Sequence, residues 1–151
     1  MRIILLIATV MLLPLSANAA SDDSHRSEYA GEEHREIKSL SESDIDELRK
    51  GAGWGLALAA ELNGVPGPVH LLEMKKEIAL SPEQIGHIET LFEQMRGQAI
   101  ELGTELIDLE RELNNHFAQG TINEDLLRGL LGQIALVRSH LRFVHLSTHL
   151  K

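Results

Sequence analysis

Eight histidines in 151 residues are the side chains of this chain best suited to chemistry near neutral pH, as proton carriers or as metal ligands. His145 and His149 lie four positions apart, so on a helix both imidazoles share one face. Such a pair can chelate a divalent ion such as zinc, nickel or copper when a carboxylate completes the set. Pairing Leu106 with Ile134 and Ala99 with Leu141 across two helices sets His145 opposite Arg96, a cation that disfavours a metal, and brings Glu89 and Glu93 toward His149. A full ligand set then calls for His25 or His34 from the N-terminal region, or for a second copy of the chain. The register favours the competing assignment, in which both histidines are solvated cations at a helix C-terminus, where the helix dipole welcomes positive charge. His116 falls at the tip of a hairpin, where it snorkels to water, and His70 follows Pro68 in a first helical turn, a position suited to packing.

No other residue pattern points to catalysis. The chain has no nucleophile elbow, no phosphate-binding loop and no His-Glu-x-x-His pair. Gly51-x-Gly53-x-Gly55 lacks the spacing and the preceding strand of a dinucleotide fingerprint, and reads as a hinge that presents Trp54 for packing. Glu101, Glu105, Asp108 and Glu112 read as the wet face of an amphipathic helix, not as an acid/base pair. The expectation is a binding protein that requires no cofactor.

The elements that carry these residues follow from hydrophobic spacing. Ile85, Ile88, Phe92, Met95, Ala99, Leu102, Leu106, Leu109 and Leu113 recur at intervals of three and four, with His116 next in line. After Gln119-Gly120-Thr121 the rhythm resumes as Leu127, Leu130, Ile134, Val137, Leu141 and Val144, with Thr148 next. Two such stripes joined by a short turn make an antiparallel helical hairpin. Leu80-Ser81-Pro82-Glu83-Gln84 fixes where the first rod starts: Ser81 and Gln84 can cap each other, Pro82 suits the first helical position, and Leu80 can staple onto Ile85. Asn123 with Glu124-Asp125 opens the last helix. Shorter helices are expected after Ser41 through Lys50, over residues 56–62 ending at Asn63-Gly64, and over 68–78 after Pro66-Gly67-Pro68.

Low aromatic content of 3% and an aliphatic set dominated by Leu, Ile and Ala favour helix over sheet, so the expected fold is all-α: a long hairpin preceded by short helices, paired as an intertwined or antiparallel homodimer. Arg2, the apolar run over residues 3–15 and Ala17-Asn18-Ala19 predict a cleaved export signal over 1–19, hence no stable membrane insertion; a span would need about 20 apolar residues. Residues 20–40, polar and without sustained period, are expected to form a mobile arm before a helical domain over 41–151. With no cysteine, disulfides and thiolate metal sites are excluded. A net charge of −9, one unit more negative once Arg2 leaves with the leader, repels nucleic acid and anionic lipid.

Each rod carries a second apolar series that the hairpin itself cannot cover: Gly97, Ile100, Thr104 and Ile107 on the first, Gly132, Leu136, Ser139, Phe143, Leu146 and Leu150 on the second. Three coverings stand open: the short helices through Leu56, Leu58, Leu62, Leu71 and Leu72, a second protomer, or a partner.

Leu80-Ser81-Pro82-Glu83-Gln84 resembles the Leu-Thr-x-x-Gln motif of the Spy/CpxP group of periplasmic and heavy-metal-resistance proteins, with Ser for Thr, and the stretch from Ala57 through Pro66-Gly67-Pro68 to Glu73 is similar to exported members of that group. The resemblance covers residues 29–150. It implies an ATP-independent dimeric cradle that holds unfolding clients in the bacterial envelope during stress, or that presents a surface to an envelope-stress sensor; related members bind metals through His and Glu. Members usually carry a second motif copy and a further helix beyond the hairpin, and this sequence has no second copy. The expected function is therefore that of a periplasmic holdase, with Ile100, Ile107, Leu136, Phe143 and Leu146 as the client-binding face and Leu80, Ser81 and Gln84 as the structural cap. The alternatives are a divalent-metal sensor or scavenger using His145 and His149, and a structural dimer that regulates a stress sensor.

Overall fold

In the computed structural model, which describes residues 27–151, five helices follow one 3-10 turn at Glu32–His34: α1 (Glu42–Lys50), α2 (Leu58–Glu61), α3 (Pro68–Glu73), α4 (Pro82–Ala118) and α5 (Glu124–Thr148). The expected export signal and residues 20–26 of the expected arm, His25 among them, lie outside the described residues. Residues 27–30 make a turn in which the Ala30 N–H donates to the Ser27 carbonyl at 3.0 Å. Gly31–Lys151 forms one packed body, and no strand occurs among the described residues.

Capping chemistry sets the start of the long rod. The Ser81 hydroxyl accepts from the Gln84 N–H at 3.2 Å, and the Gln84 side-chain oxygen accepts from the Ser81 N–H at 2.8 Å. Two otherwise unsatisfied donors are thereby paired, Pro82 occupies the first turn, and α4 runs unbroken for 37 residues, about 55 Å at 1.5 Å per residue. Gly120, at φ 65°, turns the chain, and Asn123 caps α5 by accepting from the Leu126 N–H at 2.9 Å. The seam between the rods is the one the spacing predicts: Met95, Ala99 and Leu106 from α4 bury with Leu130, Ile134, Val137 and Leu141 from α5. The short helices are curtailed relative to expectation, because α2 ends at Glu61 and α3 at Glu73, after which turns carry the chain to the Ser81 cap.

The expected arm is corrected over residues 31–40. Ile37 and Leu40 are 0% and 2% exposed and belong to the same core as Leu106 and Ile107. Polar contacts hold the segment along the far end of α4: the Lys38 N–H donates to Asn114 Oδ1 at 3.3 Å, the Ser39 hydroxyl donates to the buried Glu110 carboxylate at 2.7 Å, and Arg111 pairs with Glu36 at 3.4 Å. Two apolar anchors in a polar stretch give no periodic signal, yet they suffice to dock it. Burial of each contributes roughly 1.5–3 kcal/mol.

Helix α1 crosses α4 where glycine permits. A Cβ on Gly103 would lie 2.5 Å from the Leu48 carbonyl oxygen, and one on Gly51 would lie 2.8 Å from the Arg96 carbonyl oxygen. Ser41 and Asp44 cap α1 reciprocally, and Asp44 also accepts from Trp54 Nε1–H at 2.8 Å. The face of the indole takes the Arg138 guanidinium of α5, 4.9 Å from the ring centroid. Hydrogen bonds from the Ser41 side chain and then from Trp54 hold the Asp44 carboxyl below its ordinary value of 3.8. Because the folded value is the lower one, this stabilisation is complete above 3.8 and is lost as pH falls through the folded value. Acid unfolding followed by Trp54 emission should therefore show a shallower pH dependence below about pH 4 in Asp44→Asn than in the parent chain. Equal slopes would remove Asp44 from the acid response.

Candidate functional site

All five helices contribute to the surroundings of the histidine pair. His145, in the last turn of α5, and His149, its C-cap, line a cleft of about 530 Å³ with Lys50–Gly53, Ala57 and Glu61, Gly67–His70, and Phe92, Met95 and Arg96 of α4. His145 is 5% exposed, and its Nε2 has no hydrogen-bond partner among the described residues. An unpaired buried polar atom of this kind costs about 1–3 kcal/mol. Burial, and after it the neighbouring His149, pushes the His145 pKa below the ordinary imidazole value against the opposing pull of Glu61. The ring is therefore neutral at pH 7.

His149 is fixed by its other nitrogen. Its Nδ1 donates to the Val65 carbonyl at 2.8 Å, so in the neutral ring the lone pair sits on Nε2. The ring lies against Gly67, where a Cβ would approach Nε2 to 2.8 Å, so a side chain there would have to push the ring aside.

These contacts correct the assignment of both histidines as solvated helix-end cations. The α2–α3 segment folds over the end of α5 and shuts His145 away from water. Register did bring Arg96 to the same cleft as expected, but its Nε donates to the Lys50 carbonyl at 3.3 Å and its terminal nitrogen pairs with Glu93 at 3.7 Å. The carboxylate lining the cleft is Glu61; Glu89 and Glu93, expected near His149, do not line it. Glu61 went unseen in the sequence because the path of a four-residue helix after a glycine-rich loop leaves no periodic trace. Among the described residues no three His, Cys, Asp or Glu side chains converge as a metal-binding group. His34 is exposed and contacts Glu33, and His116 is bonded to Thr121 across the hairpin turn at 2.8 Å.

The expected client-binding face is divided by the fold. Ile107 is only 2% exposed and is covered within the chain, so it cannot take part; Ile100 is half-buried against Gly51. The covering comes from α1 and the 37–40 segment, not from Leu58 and Leu62, which are themselves 49% and 80% exposed. On α5 the second series stays open: Leu136 is 57% and Phe143 69% exposed, with Leu131 also exposed and Leu146 half-buried. Ser81 and Gln84 form the helix cap the sequence predicts, and Leu80 precedes it.

No family model, curated protein or solved structure matches this chain. No helix among the described residues is long and apolar enough to cross a membrane.

Proposed function

We propose that this chain is an exported, ATP-independent holdase that binds unfolding clients through the outer face of α5. The observation that carries the reading is Phe143, an aromatic ring left 69% exposed on a long capped helix, with the exposed Leu136 two turns earlier in the same series. Large apolar side chains grouped on one face of a rigid rod are a standing cost in water unless something binds there. The net charge of −9 keeps a loaded complex soluble and draws basic clients inward. No nucleotide or cofactor is needed, because a client leaves once it buries its own apolar residues. The leader-like residues 1–19 and the Spy/CpxP-like Leu80-Ser81-Pro82-Glu83-Gln84 support placement in the periplasm.

A second copy of the chain and a client would compete for this face. Suppression of aggregation of a denatured model protein without ATP should therefore weaken severalfold in Phe143→Glu and in Leu136→Glu, with helical content and solution mass unchanged. Unaltered suppression together with conversion of a dimer to a folded monomer would instead make the face an interface between protomers, and the holdase assignment would fail.

A further inference from the structure

We infer that the pocket between the docked 37–40 segment and the end of α4 receives an arginine side chain from a protein partner, its guanidinium on the Glu110 carboxylate and its stem on Leu113 and Phe117. The inference is independent of the client-binding reading, since none of these side chains belongs to the exposed face of α5.

Three observations point to a cation here. Glu110 is 7% exposed, and no Lys, Arg or His side chain among the described residues comes within salt-bridge reach of it. A carboxylate withdrawn from water without a counter-ion is a standing cost, which an incoming cation offsets. One of its oxygens is taken and the other open: the Ser39 hydroxyl donates to Oε2 at 2.7 Å, while Oε1 has no hydrogen-bond partner among the described residues and, unlike His145 Nε2, keeps accessible surface. Glu110, Leu113, Asn114 and Phe117 stand at i, i+3, i+4 and i+7 of α4, so helix geometry sets carboxylate, aliphatic wall and aromatic ring on one stripe; all four line a single cavity of about 220 Å³ with Lys38 and Ser39.

Size and chemistry then select the occupant. Small-molecule sites run from about 300 to 1,000 Å³, so a cavity of this volume suits one side chain better than a whole ligand. Its accessible walls are almost wholly apolar, which favours the weakly hydrated guanidinium over an ammonium and gives the methylene stem of arginine a surface to lie on. Phe117, at 57% exposure, leaves its ring free for that stem. The pocket is built before anything binds: Asn114 Oδ1 accepts from the Lys38 N–H at 3.3 Å, Asn114 Nδ2 donates to the Glu36 carbonyl at 3.4 Å, and Ile37 and Leu40 anchor the segment in the core. Neighbouring cations are engaged elsewhere, Lys38 on the Arg35 carbonyl and Arg111 with Asp108 and Glu36.

N-acetylarginine N-methylamide, titrated into the full chain and followed by nuclear magnetic resonance, should shift the Glu110 carboxyl carbon, Ser39 and the Phe117 ring together and saturably. The citrulline analogue, which keeps the shape and loses the charge, should bind at least about tenfold more weakly, a comparison that needs no variant to fold. Glu110→Gln, which can still accept from Ser39, should weaken arginine binding at least about tenfold, while Glu112→Gln, an exposed acid two residues on, leaves it unchanged. Equal binding of the arginine and citrulline probes, tighter binding of the lysine analogue, or shifts spread over Glu101, Glu105 and Glu112 as much as over Glu110 would each overturn the assignment. So would uptake that appears only after Lys38→Gln, which would mean that the chain's own lysine fills the pocket.

Discussion

Leu106→Ala should lower the free energy of unfolding by about 2–5 kcal/mol, whereas Phe143→Ala should change it by no more than about 0.5 kcal/mol. Both side chains are large and apolar and sit on the two long rods, so composition and helix propensity do not distinguish them. Their surroundings do. Leu106 is 0% exposed at the middle of the α4–α5 seam, where deleting its side chain leaves a cavity that two rigid rods cannot collapse into. Phe143 is 69% exposed and surrenders little buried surface. Against a total stability of about 5–15 kcal/mol, the first loss is severe and the second negligible. Urea unfolding followed by circular dichroism, with the slope held in common, measures both. A loss at Phe143→Ala that grows with protein concentration would mean a second protomer hides the ring; comparable losses at low concentration would contradict the burial pattern from which the client-binding face is argued.

The seam was legible because its signal is long and redundant. Seven-residue repetition over more than four turns, plus a reciprocal cap at Ser81 and Gln84, fixes phase and start independently, and Met95, Ala99, Leu106, Ile134, Val137 and Leu141 bury as that phase requires. What the spacing left open was how much of each second series the chain itself covers. Ile107 and Phe143 are equivalent in pattern, but α1 with Ile37 and Leu40 reaches the former and nothing described reaches the latter. Ile37 and Leu40 are hidden by their polar neighbours, and register together with the helix dipole points to solvated cations at His145 and His149. That argument holds for a bare helix end; here Gly67 and Val65 close over it, and a loop's path is set by tertiary contacts that no local periodicity encodes. Glycine marks the crossing of α1 over α4 at Gly103, yet Gly97, Gly129 and Gly132 look identical in sequence and have open space where a Cβ would go.

That last contrast supplies an experiment whose two arms have opposite sign. Gly97→Ala should stabilise the chain by about 0.5–1 kcal/mol, since the added methyl meets nothing and alanine costs less backbone entropy in a helix. Gly103→Ala should destabilise it by about 1–3 kcal/mol, because the new methyl falls 2.5 Å from the Leu48 carbonyl oxygen and 3.1 Å from its carbonyl carbon. Those are main-chain atoms that no rotamer change can move aside, so α1 as a whole must shift. Trp54, the only tryptophan, reports the shift through its bond to Asp44 on α1, and its emission should move to the red in Gly103→Ala alone. Displacing α1 also uncovers Ile107, which restores to α4 the apolar face that α1 hides in the parent chain. If apolar exposure governs client capture, Gly103→Ala should suppress aggregation more strongly than the parent chain at equal concentration despite its lower stability. A red-shifted, less stable variant with no gain in suppression would confine client binding to α5; an unshifted variant as stable as Gly97→Ala would mean that α1 does not lie against Gly103 in solution.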